Sequence, residues 1–474
     1  MPTDPRGLRS EAPLLDAWLA FQENTSHAFT IPGHKHRIDL VGDVIAGDVP
    51  LYAGLDTMKV TEGTLAEAER RAARLWGADR CRFSVGGSTH GNQALALAVG
   101  APGDRVVLTR SAHRSLVTAL VLAGLEPVWV TPDVDPQTGL PLPIAVEAVE
   151  TACAAADSRR LAGVFLTDPA YVGTHGDIAA WADVAHAHDV PLIIDAAWAA
   201  HFGFHPDLPP HALAAGADAL VTSAHKALPA YSQGALILVR GNRIDADRLE
   251  AAVEATHTTS PAGSILASID ASRALLERDG AELVGAVLRA VRATRDRLAG
   301  VPGLLVLDGP GVDPLKLTLV LSGTGADGVA VENRLLDRGR PVEMADRDTI
   351  VAMVTLADTA EDLESLADNM IAAIEAERGE PHEPAGMAAY RVVPEPVRTP
   401  REAFFARREV VESEAAVGRV SAELIAPYPP GIPVLAPGER ITPAVLTALR
   451  EAQTSGARIA YASDPTLTSV LVLR

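Results

Sequence analysis

From residue 80 to about 240 the chain alternates short apolar runs with Ala-rich stretches of helical period. The runs fall at 81–85, 105–108, 127–130, 162–166, 191–195, 219–222 and 235–239. Strands that are apolar throughout, separated by helices, are buried on both faces, which implies a mostly parallel sheet covered on both sides. Ligands of such sheets collect at the carboxyl ends of the strands. Near residue 220 the pattern changes. The run 219–222 ends in Ser223-Ala224-His225-Lys226, and the next apolar run begins soon after Gln233-Gly234. That predicts a strand, a short polar loop and a second strand returning beside it.

Outside this core, helices are predicted over 13–22 and, strongly amphipathic, over 64–76, with Pro32-Gly33-His34-Lys35-His36 punctuating the loop between. A long helical stretch, 264–300, leads to a new series: a strand at 316–321, a helix from Gly328 and a strand at 350–354. A Pro- and charge-rich connector follows around 380–399. The predicted division is an N-terminal helix and arm (1–60), a large domain (61–305), a small α/β domain (306–380), a linker (381–400) and a C-terminal domain (401–474).

Charge and cysteine usage narrow the class. With 41 basic and 61 acidic residues the formal net charge is -20, which argues against a nucleic-acid partner. Cys81 and Cys153 lack a partner motif, which suggests a reducing compartment and no metal site. Met1-Pro2-Thr3-Asp4 opens no export signal, and no apolar stretch reaches the ~18 residues of a membrane span. The expectation is a soluble, cytoplasmic protein.

Four polar features sit at predicted strand ends. Gly86-Gly87-Ser88-Thr89-His90-Gly91-Asn92 follows a strand and opens a helix predicted over 93–99; glycines, hydroxyls and helix N–H donors there suit an anion, although a plain helix cap reads equally well. It lacks the Lys of a P-loop. Asp195 ends the 191–195 strand, where a carboxylate needs a cation or donors, and helix capping is the competing account. Ala197, on the same side of an extended strand, would leave room for a flat ring. His113 follows the 105–108 strand and is placed to stack on a ring or to lie on the surface. Thr258-Thr259-Ser260-Pro261 puts hydroxyls just before a helix, as a cap would. Together with Lys226 these supply an anion cradle, a ring sandwich, a pyridinium partner and an amine able to attack a carbonyl, which is what a pyridoxal phosphate site requires.

On these residues the chain resembles the bacterial Orn/Lys/Arg decarboxylases, which depend on pyridoxal 5'-phosphate, and in particular their short, arginine-decarboxylase-like members. The resemblance rests on Ile31-Pro32-Gly33-His34-Lys35, on Gly87-Ser88-Thr89-His90-Gly91-Asn92, on Ser223-Ala224-His225-Lys226 with Leu228-Pro229, and on Thr259-Ser260-Pro261. The C-terminal segments Ser421-Ala422-Glu423, Tyr428-Pro429-Pro430-Gly431-Ile432-Pro433 and Pro437-Gly438-Glu439 extend it. It implies fold type I of the pyridoxal-phosphate enzymes: a large domain with a mostly parallel seven-stranded sheet flanked by helices, a small α/β domain and a C-terminal α+β domain.

Carried over residue by residue, the resemblance makes Lys226 the covalent anchor and Asp195 the partner of the pyridine nitrogen. His113 would stack on the ring, above Ala197. Ser88, Thr89, Ser223 and His225 would hold phosphate, with Thr259 and Ser260 acting in a neighbouring subunit's site, hence a homodimer or higher oligomer. Lys226 or His225 would return the proton, and Glu343 or Glu423, with Trp198, would meet the substrate. The implied reaction is decarboxylation of a basic amino acid, arginine before lysine or ornithine, in polyamine biosynthesis. Transamination or lyase chemistry on the same cofactor, or a non-catalytic cofactor-binding paralogue, are the alternatives. Departures from the family pattern are Ala196 in place of Glu, Ala170 in Pro169-Ala170-Tyr171, and Ser111 in place of Asn.

Overall fold

Seven strands make one sheet in the order β1-β7-β6-β5-β4-β2-β3. The computed structural model describes residues 3–24, 35, 38–43, 46–49, 63–156, 160–384, 391–428 and 432–474. Ile31 to His34 and Pro429 to Gly431, which carry part of the family resemblance, lie outside them. In chain order the elements are α1 (Pro13–Asn24), α2 (Ile38–Val41), α3 (Thr64–Leu75), β1 (Arg80–Ser84), α4 (Gly87–Val99), β2 (Arg105–Thr109), α5 (Arg114–Ala123), β3 (Glu126–Val130), α6 (Val146–Ala155), β4 (Leu161–Thr167), α7 (Ile178–Ala187) and β5 (Leu192–Asp195). There follow β6 (Ala219–Ser223), α8 (Ala224–Ala227), β7 (Ala235–Val239), α9 (Ala246–Thr256) and α10 (Gly263–Ala299). Strands β5, β6 and β7 are buried at every position, as double coverage requires. Pairs β2–β3, β2–β4 and β5–β6 are parallel, whereas β7 runs antiparallel to both β6 and β1.

The chain divides into two compact units, residues 1–98 with 193–284 and residues 99–192 with 285–474. In the first, α1 and α10 are tied by a buried polar knot. Asp270 accepts the Leu14 N–H at 2.9 Å and pairs with Arg273, whose guanidinium also donates to the Glu11 carbonyl. Burial raises the Asp270 carboxyl above the ordinary range, against the pull of Arg273.

The second unit continues with β8 (Leu305–Val306), β9 (Lys316–Val320), α11 (Gly328–Asp337), β10 (Met344–Ala345), β11 (Thr349–Met353) and α12 (Ala360–Ala376). Its four-stranded antiparallel sheet, β10-β11-β9-β8, packs Leu317, Leu319 and Ile350 against Val331, Leu335 and Ile374 of the two helices. Two of those strands, β8 and β10, have two residues each, too short to leave a periodic signal. The C-terminal part holds α13 (Pro400–Phe405), β12 (Arg408–Glu412), β13 (Ala426–Tyr428), α14 (Pro443–Thr454), β14 (Arg458–Ala460) and β15 (Ser469–Leu473), with a core of its own around Ile425, Leu435, Leu449 and Val470. Within this unit Arg110, just past β2, reaches that core. It pairs in bidentate fashion with Glu439 and donates to the carbonyls of Pro433 and Val434.

Three local expectations differ from the structure. Helix α4 begins at Gly87, not at residue 93, so Ser88 and Thr89 belong to its first turn. Gly87 takes a positive φ of 67°, and a Cβ on Gly91 would come within 2.6 Å of Val221, so both glycines serve a helix laid directly on β6. Lys226 sits in the one-turn helix α8, not in an open loop. Strand β5 stops at Asp195, so strand alternation does not orient Ala196 and Ala197. Ala196 is instead clamped to β6, its N–H on the Val221 carbonyl and its own carbonyl on the Thr222 hydroxyl at 2.9 Å.

Candidate active site

Parallel pairing of β5 with β6 places Asp195 beside Val221, so the polar end of β5 lies next to the strand that runs on into Ser223, His225 and Lys226. Helix α4 crosses over this edge. Ser88 and Asn92, four residues apart, share one helical face. The Ser88 hydroxyl is 2.7 Å from that of Ser223, and the Asn92 amide donates to Asp195 at 2.8 Å. Asp195 is 3% exposed, and its other oxygen accepts the Ala197 N–H at 3.3 Å. Among the described residues no side-chain cation pairs with Asp195, so a buried carboxylate is held by neutral donors alone. A protonated pyridine nitrogen is the kind of partner that environment lacks.

The donor set also fits a phosphate. The first turn of α4 carries Ser88 and the exposed Thr89, no acidic residue, and the open N–H groups of a helix start. Ser223 caps α8. His225 Nδ1 is 2.9 Å from the Gly234 carbonyl, an acceptor only, so Nδ1 carries the hydrogen and Nε2 is the free nitrogen. The Lys226 amine, half-buried, lies 3.6 Å from the centre of the Trp198 ring. Lys226, Asp195, Ala197, Trp198, Ser88, Thr89, Ser223 and His225 therefore gather at one edge of the first unit.

Thr259 and Ser260 are exposed in that unit. Ser260 borders a separate cavity of about 450 Å³ with Gly86, His90, Gln233, His257 and Ile265. His90 stands edge-on to His257, with centroids 4.9 Å apart, and bonds Ser84 at 2.8 Å. Burial, helped by His257, lowers its pKa to about 4.

The remaining predicted residues belong to the second unit. His113 is the exposed N-cap of α5 and accepts the Ser115 N–H through Nδ1. Glu343 is exposed and accepts the Tyr171 hydroxyl at 3.0 Å. Tyr428 bonds the same phenol, whose pKa is raised chiefly by burial and then by the Glu343 charge. Glu423 is buried, and its two oxygens accept the N–H groups of Ser463 at 2.6 Å and Leu471 at 2.7 Å, which ties two C-terminal segments together. Asn92, Tyr171 and Tyr428 carried no assigned role in the sequence reading. Only Asn92 had a usable signal, its four-residue spacing from Ser88, and that required the helix to start at Gly87.

Comparison with known proteins agrees with this geometry. The Orn/Lys/Arg decarboxylase major-domain model matches residues 12–308, and the C-terminal-domain model matches residues 385–459. The arginine decarboxylase of Halalkalibacterium halodurans is 30% identical over 484 aligned positions, covering 98% of each chain; that of Bacillus subtilis is 30% identical, covering 94% of each. The structure of lysine decarboxylase A from Pseudomonas aeruginosa superposes with a TM-score of 0.82 at 21% identity, over 98% of this chain and 81% of that one. The chain belongs to the Orn/Lys/Arg decarboxylase family, enzymes of the pyridoxal-phosphate fold type I.

Proposed function

We propose that this chain removes the α-carboxyl group of arginine as carbon dioxide and leaves the corresponding amine, as a cytoplasmic enzyme of polyamine synthesis. The observation that carries the reading is Lys226 in the turn that follows β6, next to the strand whose end holds the buried Asp195, which has donors but no cation among the described residues. Pyridoxal phosphate, held by Lys226, Ser88, Thr89 and Ser223, supplies the electron sink for the departing bond. Asp195, oriented by Asn92 and Ala197, holds the proton on the ring nitrogen. His225 Nε2, opposite the hydrogen-bonded Nδ1, can take up a proton and hand it back, a role it shares with the Lys226 amine.

Arginine is favoured over lysine and ornithine by two considerations. The relatives at 30% identity are arginine decarboxylases, and a planar guanidinium matches a carboxylate in bidentate fashion. Glu343, exposed and already bonded by a phenol, is proposed as that carboxylate in preference to Glu423, whose oxygens are taken by backbone. Ring stacking by His113, and the action of Thr259 and Ser260 on the partner protomer of a homodimer, are proposed on the family resemblance.

Supplying arginine, lysine and ornithine in turn and measuring carbon dioxide and amine tests the reaction. Arginine should be turned over fastest, and Lys226→Ala should lose the visible absorbance together with about three orders of magnitude or more of turnover. Keto acid in place of carbon dioxide, or a Lys226→Ala protein that stays coloured and active, overturns the reading.

A further inference from the structure

We infer that Trp198 is a positioning residue for Lys226: its indole face holds the lysine amine as a cation whenever that amine is not covalently engaged. The inference rests on the proposed role of Lys226 and extends it to a side chain that touches the lysine amine.

The observation is geometric. The Lys226 nitrogen is 3.6 Å from the Trp198 ring centre, well inside the ~6 Å range over which an ammonium is attracted to an aromatic face. Indole is the strongest of the aromatic faces, and both side chains are half-buried, where the attraction exceeds that on an open surface. The segment behind Trp198 is anchored independently of the indole. Ala196 is bonded to β6 through both backbone groups, the Ala199 N–H returns to the Ala196 carbonyl, and Ala199 and Ala200 are buried. The indole is thus carried on a fixed turn beside α8.

Several described titratable groups on the elements around this pair have partners of their own. His225, on the same turn as Lys226, bonds the Gly234 carbonyl. Asp195, at the end of β5, bonds Asn92 and the Ala197 N–H. His90 of α4 bonds Ser84 and the Val253 carbonyl. His201 lies farther along the turn, buried against the Phe202 ring. Strand β7, which flanks β6, carries no titratable residue. An aromatic face is well suited to an amine that must be released and recaptured in each cycle. It attracts the ammonium without the deep, localised well of a carboxylate.

Each time the substrate amine would take the cofactor, the lysine nitrogen would be set free, and it would need to shed its proton before it could displace the product amine and recover its own bond to the cofactor. Removing the indole therefore shifts the free lysine toward its neutral form. The test uses the full-length chain, freed of cofactor, and reads the pH dependence of Lys226 labelling by an amine-specific reagent. Peptide mapping assigns the label to the residue. Trp198→Leu should lower the labelling midpoint by about one pH unit, a tenfold gain in neutral amine below the midpoint, and Trp198→Phe should lower it by about half as much. That graded order follows ring-face strength, which a loss of packing would not reproduce, and the Phe variant keeps the test open should the Leu variant fold poorly. Identical midpoints in wild type and Trp198→Phe, or in wild type and Trp198→Leu, overturn the inference. Adding pyridoxal phosphate to the wild-type protein separates the two claims. No colour refutes the proposed function, whereas colour with unmoved labelling midpoints refutes the role of Trp198 alone.

Discussion

Asp195 in one unit and Glu439 in the other are carboxylates at 3% and 2% exposure, and they are held in opposite ways. Glu439 has a cation of its own: Arg110 grips both oxygens, and the Ala436 N–H adds a third bond at 2.7 Å. Asp195 has an amide side chain and one backbone N–H. A buried ion pair complete within the chain is a structural joint; the neutral donors around Asp195 leave its charge for the cationic ring nitrogen proposed as its partner. Asp168, at the end of β4, marks the limit of that series. With the Gly176 N–H as its one hydrogen-bond partner among the described residues, burial pushes its pKa up to about 8, so near neutral pH its carboxyl keeps its proton.

The largest expected effect is on the structural joint. Arg110→Ala strands Glu439 and should cost about 3–5 kcal/mol in denaturant unfolding, while Arg110→Met with Glu439→Gln recovers most of it. A mild effect of the single change would erase the contrast with Asp195. Asp168 comes next. A folded pKa raised above its unfolded value contributes stability that is present below about pH 4 and is lost as pH rises through about 8. Asp168→Asn, which keeps an acceptor for Gly176, should flatten that decline and be more stable than wild type at pH 8 by roughly 2–4 kcal/mol, read from unfolding curves across pH.

Asp195→Asn should reverse the pattern of Arg110→Ala. Unfolding stays within about 1 kcal/mol of wild type, because the new amide oxygen keeps the Ala197 N–H and its NH2 can donate to an Asn92 side chain turned to present its oxygen, while kcat/KM falls about a hundredfold. Stability lost with activity kept would make Asp195 a second structural carboxylate. The smallest effect belongs to an exposed group. Glu343→Gln should raise KM for arginine about tenfold with kcat little changed, the mark of binding lost equally in ground and transition states.

Much of this was legible along the chain. The run at 235–239 coincides with β7, and the other strands of the large sheet lie within a residue or two of their expected places. Each had to be buried on both faces, and that demand shows as an unbroken apolar run. Local chemistry was legible in combination: Ser223-Ala224-His225-Lys226 after such a run points to a site only together with Gly86-Gly87-Ser88-Thr89, His113 and Asp195 at the other strand ends. The errors fell where a neighbour overrode local pattern. Gly86-Gly87 resembles a loop, yet Gly87 opens a helix whose Gly91 presses on Val221. The apolar run before Asp195 suggested that strand geometry continued to Ala197, yet the ladder to β6 ends sooner.

Side-chain partnerships were the least visible. Asn92 with Asp195, Tyr171 with Glu343 and Tyr428, and Arg110 with Glu439 each join residues that no period or spacing relates. Periodicity records what a segment must bury, and motifs record which functional groups stand within a turn of one another, so the layered sheet and the lysine at its edge could be read in one dimension. Which carboxylate meets a guanidinium, which meets only amides, and which ring faces the lysine amine depend on atoms brought within a few ångströms by packing, and that information exists only once the chain is folded.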